Sequence, residues 1–147
     1  MADLLGGRSE SAVSIRDLMA HADVPVIKVS VPARPQFVQI LRLVVGSVGT
    51  RVDLVYDDIQ DLSVAVDEAC AQLLSIKPLP TSMTLEIFIE QKTVHIAVSA
   101  DAAPGEWPPS GFEESFGWQV LTAISDDPTF IVEEERAALK FSKKAAG

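Results

Sequence analysis

The segment at residues 62–74 reads Leu-Ser-Val-Ala-Val-Asp-Glu-Ala-Cys-Ala-Gln-Leu-Leu, and the spacing of its apolar residues predicts an amphipathic helix. Four apolar side chains recur at helical intervals and form a stripe that would face the core: Leu62, Val66, Ala69 and Leu73. Glu68 and Gln72 lie four residues apart and therefore project side by side from a neighbouring face. The segment thus predicts a helix with a core-facing side and a polar ledge that carries a carboxylate and an amide.

The composition is that of one globular domain. The chain has 147 residues, of which 48% are hydrophobic and 22% are charged, and this is enough to bury a core without cross-links. The formal net charge of −9 argues against a protein that binds nucleic-acid phosphates and favours protein or small-molecule partners. The closest approach to a basic run is at the C-terminus, with Lys140, Lys143 and Lys144.

Cysteine and histidine usage argues against a disulfide or a zinc site. Cys70 is the single cysteine, and His21 and His95 are far apart in the sequence. No stretch approaches the roughly 20 apolar residues of a membrane span. Residues 1–7 lack the basic start and long apolar region of a secretory signal. We therefore expect a cytoplasmic protein that contacts neither membrane nor nucleic acid.

The chain divides into an extension and one domain. Residues 1–24 are rich in small and charged side chains and predict a flexible N-terminal extension, with one short helix at residues 14–20. Residues 25–147 predict a single domain in the order strand, two helices, two strands, loop, helix and two strands. Three helices on one face of a mixed, mostly antiparallel sheet would make a two-layer α+β sandwich.

Punctuation residues set the expected boundaries of these elements. The first strand should begin near Val26, the first helix should run from Pro35 to Gly49, and the second should begin near Asp57. The remaining expected elements are strands at 83–90 and 93–100 joined by a two-residue hairpin turn, an irregular loop at 102–115, a helix at 117–126, and strands at 129–132 and 137–141.

The helix at residues 62–74 resembles the first nucleotide-binding box of the GHKL (Bergerat) ATPase superfamily in its anti-sigma-factor form. In that form a Val-x-Glu-Ala-x-x-Asn-like run places a glutamate beside a magnesium-binding asparagine. Glu68 matches the glutamate, and Gln72 stands where the asparagine would be. The resemblance, which extends over residues 26–144, implies that Glu68 is the catalytic group of phosphoryl transfer and that Gln72 is the ligand of Mg²⁺ bound to ATP.

Two further boxes of the family are matched in part. The family's Asp-x-Gly-x-Gly turn reads Asp101-Ala-Ala-Pro-Gly105, and the Gly-x-Gly that opens a helix reads Ser115-Phe-Gly117. The resemblance implies that Asp101 binds the adenine amino group. It also implies that Gly105 and Gly117 let the backbone approach the nucleotide.

Departures from the family pattern predict that ATP is bound and turned over weakly or not at all. Gln72 carries its amide oxygen one methylene further out than asparagine, whereas Mg²⁺ demands near-ideal octahedral geometry. The loop at residues 102–115 adds Glu106, Glu113 and Glu114 and no lysine or arginine. Negative charge beside a triphosphate is unfavourable. ATP and Mg²⁺ are thus the cofactors that the family implies, and we expect poor binding of both.

The resemblance implies an anti-sigma factor. Such a protein, a homodimer in this family, binds and sequesters an alternative sigma factor of the stress or sporulation type until an anti-anti-sigma antagonist releases it. The alternative function is that of an active ATP-dependent serine kinase which phosphorylates the antagonist. A third interpretation, a detached histidine-kinase ATPase domain, lacks support because no phosphoacceptor helix with a suitable histidine is present.

Each candidate residue also has a purely structural interpretation. Glu68 and Gln72 would then belong to a solvated helix face, and Asp101 would cap a local turn. The order in which these residues occur with Gly117 favours the family interpretation. Trp107 and Trp118 are interpreted as packing aromatics.

Overall fold

The structure, a computed structural model, describes residues 25–103, 105–133 and 135–145. The predicted extension at residues 1–24 and its short helix lie outside the described residues. The elements follow one another in the predicted order. The helices are α1 (Val38–Arg51), α2 (Tyr56–Leu74) and α3 (Phe116–Ile124), and the strands are β1 (Ile27–Pro32), β2 (Ser82–Glu90), β3 (Thr93–Asp101), β4 (Asp126–Glu133) and β5 (Arg136–Lys144).

The five strands form one sheet in the order β1-β2-β3-β5-β4. Each of the four pairings is antiparallel, whereas we predicted a mixed, mostly antiparallel sheet. The reason is the placement of β5, which runs between β3 and β4 and opposite to both. The strands β3 and β4 point the same way, but β5 keeps them from being neighbours. The α+β class and the three helices are as predicted.

The hairpin between β2 and β3 is confirmed. Glu90 faces Thr93, and only Gln91 and Lys92 lie between them. Both turn residues have positive φ, 52° and 64°, as a two-residue turn that matches the twist of the strands requires.

The final elements differ from the prediction at their ends. Helix α3 ends at Ile124, and β4 begins at Asp126, where the sequence predicted helix. The Ser125 side chain donates a hydrogen bond to the carbonyl of Leu121 and so closes the helix there. A register irregularity between Asp126 and Thr129 lets β4 start earlier than its apolar pattern indicates.

Helix α2 supplies the centre of the core. The predicted stripe is confirmed: its four residues, Leu62, Val66, Ala69 and Leu73, are buried, and so are Ala65 and Cys70 beside them. They pack on one face of the sheet, to which β3 contributes Val94, Ile96, Val98 and Ala100. Burial, followed by the nearby charge of Asp67, raises the pKa of Cys70 to about 12, which marks this thiol as a core group. No helix in the described part of the chain is long and apolar enough to cross a membrane.

Lys143 of β5 contacts both α2 and α3 through its ammonium group. Its Nζ lies 3.2 Å from Asp61 Oδ2 and 3.9 Å from Asp58 Oδ1, both near the start of α2. The same ammonium donates a 3.0 Å hydrogen bond to the carbonyl of Ile124, the last residue of α3. Because its side chain is only 17% exposed, these interactions are partly shielded from water. Lys143 therefore fixes the start of α2 and the end of α3 against the same strand.

The substitution Lys143→Met should lower the free energy of unfolding by about 1–3 kcal/mol, because it leaves a partly shielded carbonyl and two carboxylates without their donor. Urea denaturation measures this loss. The matched control is Lys144→Met, which changes an exposed neighbour and should have an effect within about 0.5 kcal/mol. An equal decrease in the free energy of unfolding in the two variants would show that the contacts of Lys143 do not stabilise the fold.

Candidate functional site

Helices α2 and α3 meet where the first and third family boxes face each other. A Cβ built on Gly117 would overlap Gln72 Nε2 and would lie 3.0 Å from Glu68 Oε1. Gly117 is buried, and both α2 side chains are half-buried. The structure therefore brings Glu68, Gln72 and Gly117 together, at a spacing where a Cβ at position 117 would force the Gln72 amide to shift.

The start of α3 is fixed by its own cap. Ser115 has extended backbone geometry, and its Oγ accepts a 3.1 Å hydrogen bond from the N–H of Trp118. A serine in this position satisfies one of the helix's free N–H groups. The cap therefore fixes the first turn of α3, in which Gly117 is the second residue.

Asp101 is engaged elsewhere. Its carboxylate accepts hydrogen bonds from the Thr81 N–H at 2.8 Å, the Thr81 hydroxyl at 2.6 Å and the Ser82 N–H at 3.1 Å. In β3 the core positions are even-numbered, so Asp101 is in register with the face that points away from the helices. The described hydrogen bonds join it to the start of β2, and none joins it to Glu68 or Gln72.

These hydrogen bonds also control the charge of Asp101. Burial acts to raise its pKa, but the bonds from the Thr81 hydroxyl and from the Ser82 and Thr81 amides outweigh that effect. The pKa of Asp101 therefore lies below its ordinary value, and the carboxylate is ionised throughout the neutral range.

Gly105 lies in open space. Nothing is within 4 Å of a Cβ built on it, and its φ of +84° is the feature that favours glycine. It lines a cleft of about 350 Å³ between residues 75–77, which follow α2, and residues 105–110, which follow β3. Lys77 and Glu106 line the same cleft. Lys77 is a cation whose position beside this loop could not be predicted, because the whole β2–β3 hairpin separates the two in the sequence.

The loop at residues 105–115, here called the acidic loop, is anchored by aromatic packing. Trp107 and Phe112 of the loop are each 4% exposed. The Phe112 ring lies 5.0 Å from that of Trp107, 5.2 Å from that of Trp118 on α3 and 5.4 Å from that of Phe130 on β4. These four residues form the aromatic cluster. The interpretation of both tryptophans as packing residues is confirmed.

These contacts give magnesium-bound ATP a poor fit. The space above Gly117 is filled by the Gln72 amide, and the Asp101 carboxylate is engaged by Thr81 and Ser82. The acidic loop presents three exposed glutamates, Glu106, Glu113 and Glu114. A triphosphate placed here would meet like charge and would have to displace protein contacts. The arrangement is better suited to holding helices together than to holding a nucleotide.

The chain is similar to proteins of one family. It is 34% identical over 126 residues to the anti-sigma-F factor RsbW of Mycobacterium tuberculosis, an alignment that covers 74% of this chain and 68% of that protein. It is also 48% identical over 44 residues to the serine-protein kinase RsbW of Bacillus subtilis, covering 30% of this chain and 28% of the kinase. The RsbW kinase of Bacillus velezensis is 47% identical over 47 residues, which cover 32% and 29% of the two chains. No protein-family model matches the chain.

The substitution Asp101→Asn should destabilise the fold by about 1 kcal/mol at neutral pH, because an amide cannot accept all the hydrogen bonds from Thr81 and Ser82. The folded-state pKa of Asp101 is depressed below the unfolded value of about 3.9. The carboxylate's contribution is therefore complete above that value and is lost as the pH falls through the folded-state pKa.

Urea denaturation from neutral pH down to about pH 3 measures the difference between the wild type and Asp101→Asn. The difference should shrink below about pH 4. Asp53→Asn, which removes the same charge from an exposed residue, should be neutral throughout. An Asp101→Asn protein as stable as the wild type at neutral pH would contradict the structural role of this carboxylate.

Proposed function

Because the chain belongs to the RsbW family of anti-sigma factors, we propose that it binds and sequesters an alternative RNA polymerase sigma factor of the stress or sporulation type. The match to the anti-sigma-F factor, which spans 74% of the chain, carries this proposal. The α+β fold with three helices over one sheet face is consistent with a GHKL-like scaffold. The complex would act in the cytoplasm, where transcription takes place.

We further propose that the chain acts as a homodimer and that an anti-anti-sigma antagonist displaces the sigma factor. Apolar side chains outside the core support a role in protein contacts. Ile27 of β1 is 40% exposed, and Ile40 and Leu43 of α1 are 42% and 64% exposed. They line a shallow groove of about 450 Å³ beside the edge strand of the sheet. Exposed apolar residues that form a continuous patch commonly mark protein interfaces.

The proposed sigma interaction does not depend on ATP. The poor fit of Gln72, Asp101 and the acidic loop to a magnesium nucleotide supports this part of the proposal. ATP, when bound, would supply a phosphoryl group for transfer to an antagonist serine. In this chain the Gln72 amide lies against Gly117, and Glu106, Glu113 and Glu114 add negative charge to the loop that precedes α3.

The second candidate function is a serine kinase. The short matches to the RsbW kinases, at 47–48% identity, favour it. In that case Glu68 would accept the proton of the antagonist serine, Gln72 would hold the metal, and Asp101 would read the adenine. Gly105 and Gly117 would lie along the nucleotide. The position of Glu68 beside Gly117 supports this arrangement, whereas the Asp101 carboxylate already accepts hydrogen bonds from Thr81 and Ser82.

Binding to a sigma factor should be seen directly. The purified full chain should retain a stress- or sporulation-type sigma factor of its own organism in a pull-down at micromolar concentration. The amount retained should not change with millimolar magnesium and ATP or with the substitution Glu68→Ala. A housekeeping sigma factor serves as the negative control. Failure to form any complex with the alternative sigma factors at this concentration would count against the anti-sigma assignment.

Incubation with labelled ATP and the antagonist separates the two candidate functions. We expect no phosphate transfer and no thermal shift at millimolar ATP with Mg²⁺, although a ligand at 100 times its dissociation constant would add about 2.7 kcal/mol of stability. Transfer that Glu68→Ala abolishes, while the sigma complex persists, would establish the kinase. The antagonist with its acceptor serine replaced by alanine controls for labelling at other sites.

A further inference from the structure

We propose that the Gln72 amide takes the place of a ligand between α2 and α3, and so holds α3 and the acidic loop closed without nucleotide. The proposal concerns regulation of the site described above and rests on the proposed function only through family membership. Its test needs neither a sigma factor nor an antagonist. A negative result would therefore leave the anti-sigma assignment standing.

Gln72 contacts Gly117 through the end of its side chain. The atoms nearest to the Cβ position of Gly117 all belong to α2 side chains, and two of the three belong to the end of one side chain, Gln72 Nε2 and Cδ. The Cδ atom would lie 3.3 Å away. The terminal amide, and not the aliphatic part of Gln72, thus fills the gap that glycine leaves open. An asparagine at position 72 would end one methylene earlier and would leave part of that gap empty.

Aromatic packing links this contact to the acidic loop. Trp118 follows Gly117 in α3, and its ring lies 5.2 Å from Phe112 and 6.0 Å from Phe130. Trp107 joins the same cluster through Phe112 and is almost fully buried. Because the loop and the first turn of α3 share this cluster, they should move together. A contact that fixes Gly117 against α2 therefore also fixes the loop.

Gly46 of α1 is a second helical glycine and serves as a control for Gly117. Gly46 of α1 has nothing within 4 Å of its Cβ position, whereas Gly117 has three atoms there. Both glycines lie in α-helices, and Gly46→Ala therefore controls for the gain in helix propensity that alanine brings. Any difference between the two alanine variants therefore reports the contact with Gln72 and Glu68.

Hydrogen exchange and tryptophan emission of the full chain test the proposal. Gly117→Ala and Gln72→Ala should each raise amide exchange at residues 105–121 by about tenfold or more, and Gly46→Ala should not. The chain has two tryptophans, and both lie in the aromatic cluster, so opening should shift the emission to longer wavelength. The double variant Gly117→Ala with Gln72→Ala should be closer to the wild type than either single variant, because the added methyl occupies the vacated space.

The variant Gln72→Asn keeps an amide and tests the proposal even if Gly117→Ala fails to fold. It should also increase exchange at residues 105–121, because the shorter side chain withdraws from Gly117. Unchanged exchange in both Gln72→Ala and Gln72→Asn would overturn the proposal. Strong protection of the same residues in the wild type by millimolar ATP with Mg²⁺ would overturn it as well, since the loop would then close around nucleotide.

Discussion

The contact of Gly117 with Gln72 and Glu68 is the constraint on which the proposed closure of α3 and the acidic loop depends. It lies between α2, which carries the core stripe, and α3, which contributes Trp118 to the aromatic cluster. Lys143 fixes the far end of α3 and the beginning of α2 to β5. The two helices are therefore held at both ends of their contact, and the acidic loop follows from where α3 begins.

Features that depend on neighbouring residues could be predicted from the sequence. The stripe of α2 follows from the 3.6-residue period, and the β2–β3 hairpin follows from alternating strands with Gln91 and Lys92 between them. The juxtaposition of Glu68 and Gln72 with Gly117 also agrees with the order of the family boxes. In each case the signal lies within one helix, one hairpin or one family pattern.

Features that depend on distant residues could not be predicted. The Asp101 carboxylate meets Thr81, which is 20 residues away, and Lys143 meets Asp61, which is 82 residues away. Phe112 and Phe130 join one cluster although a helix separates them in the chain. The insertion of β5 between β3 and β4, which makes the sheet fully antiparallel, is likewise a choice of strand order that residue periodicity does not encode.

The division of α2 into two faces separates the residues that hold the core from the residues that face Gly117 of α3. The buried stripe from Leu62 to Leu73 stabilises the fold through apolar contacts that do not involve the polar ledge. Replacing an asparagine with Gln72 changes only the ledge, where the longer amide reaches the glycine of α3. Surfaces elsewhere, such as the exposed side of α1, are supported by core residues of that helix and not by the polar ledge of α2.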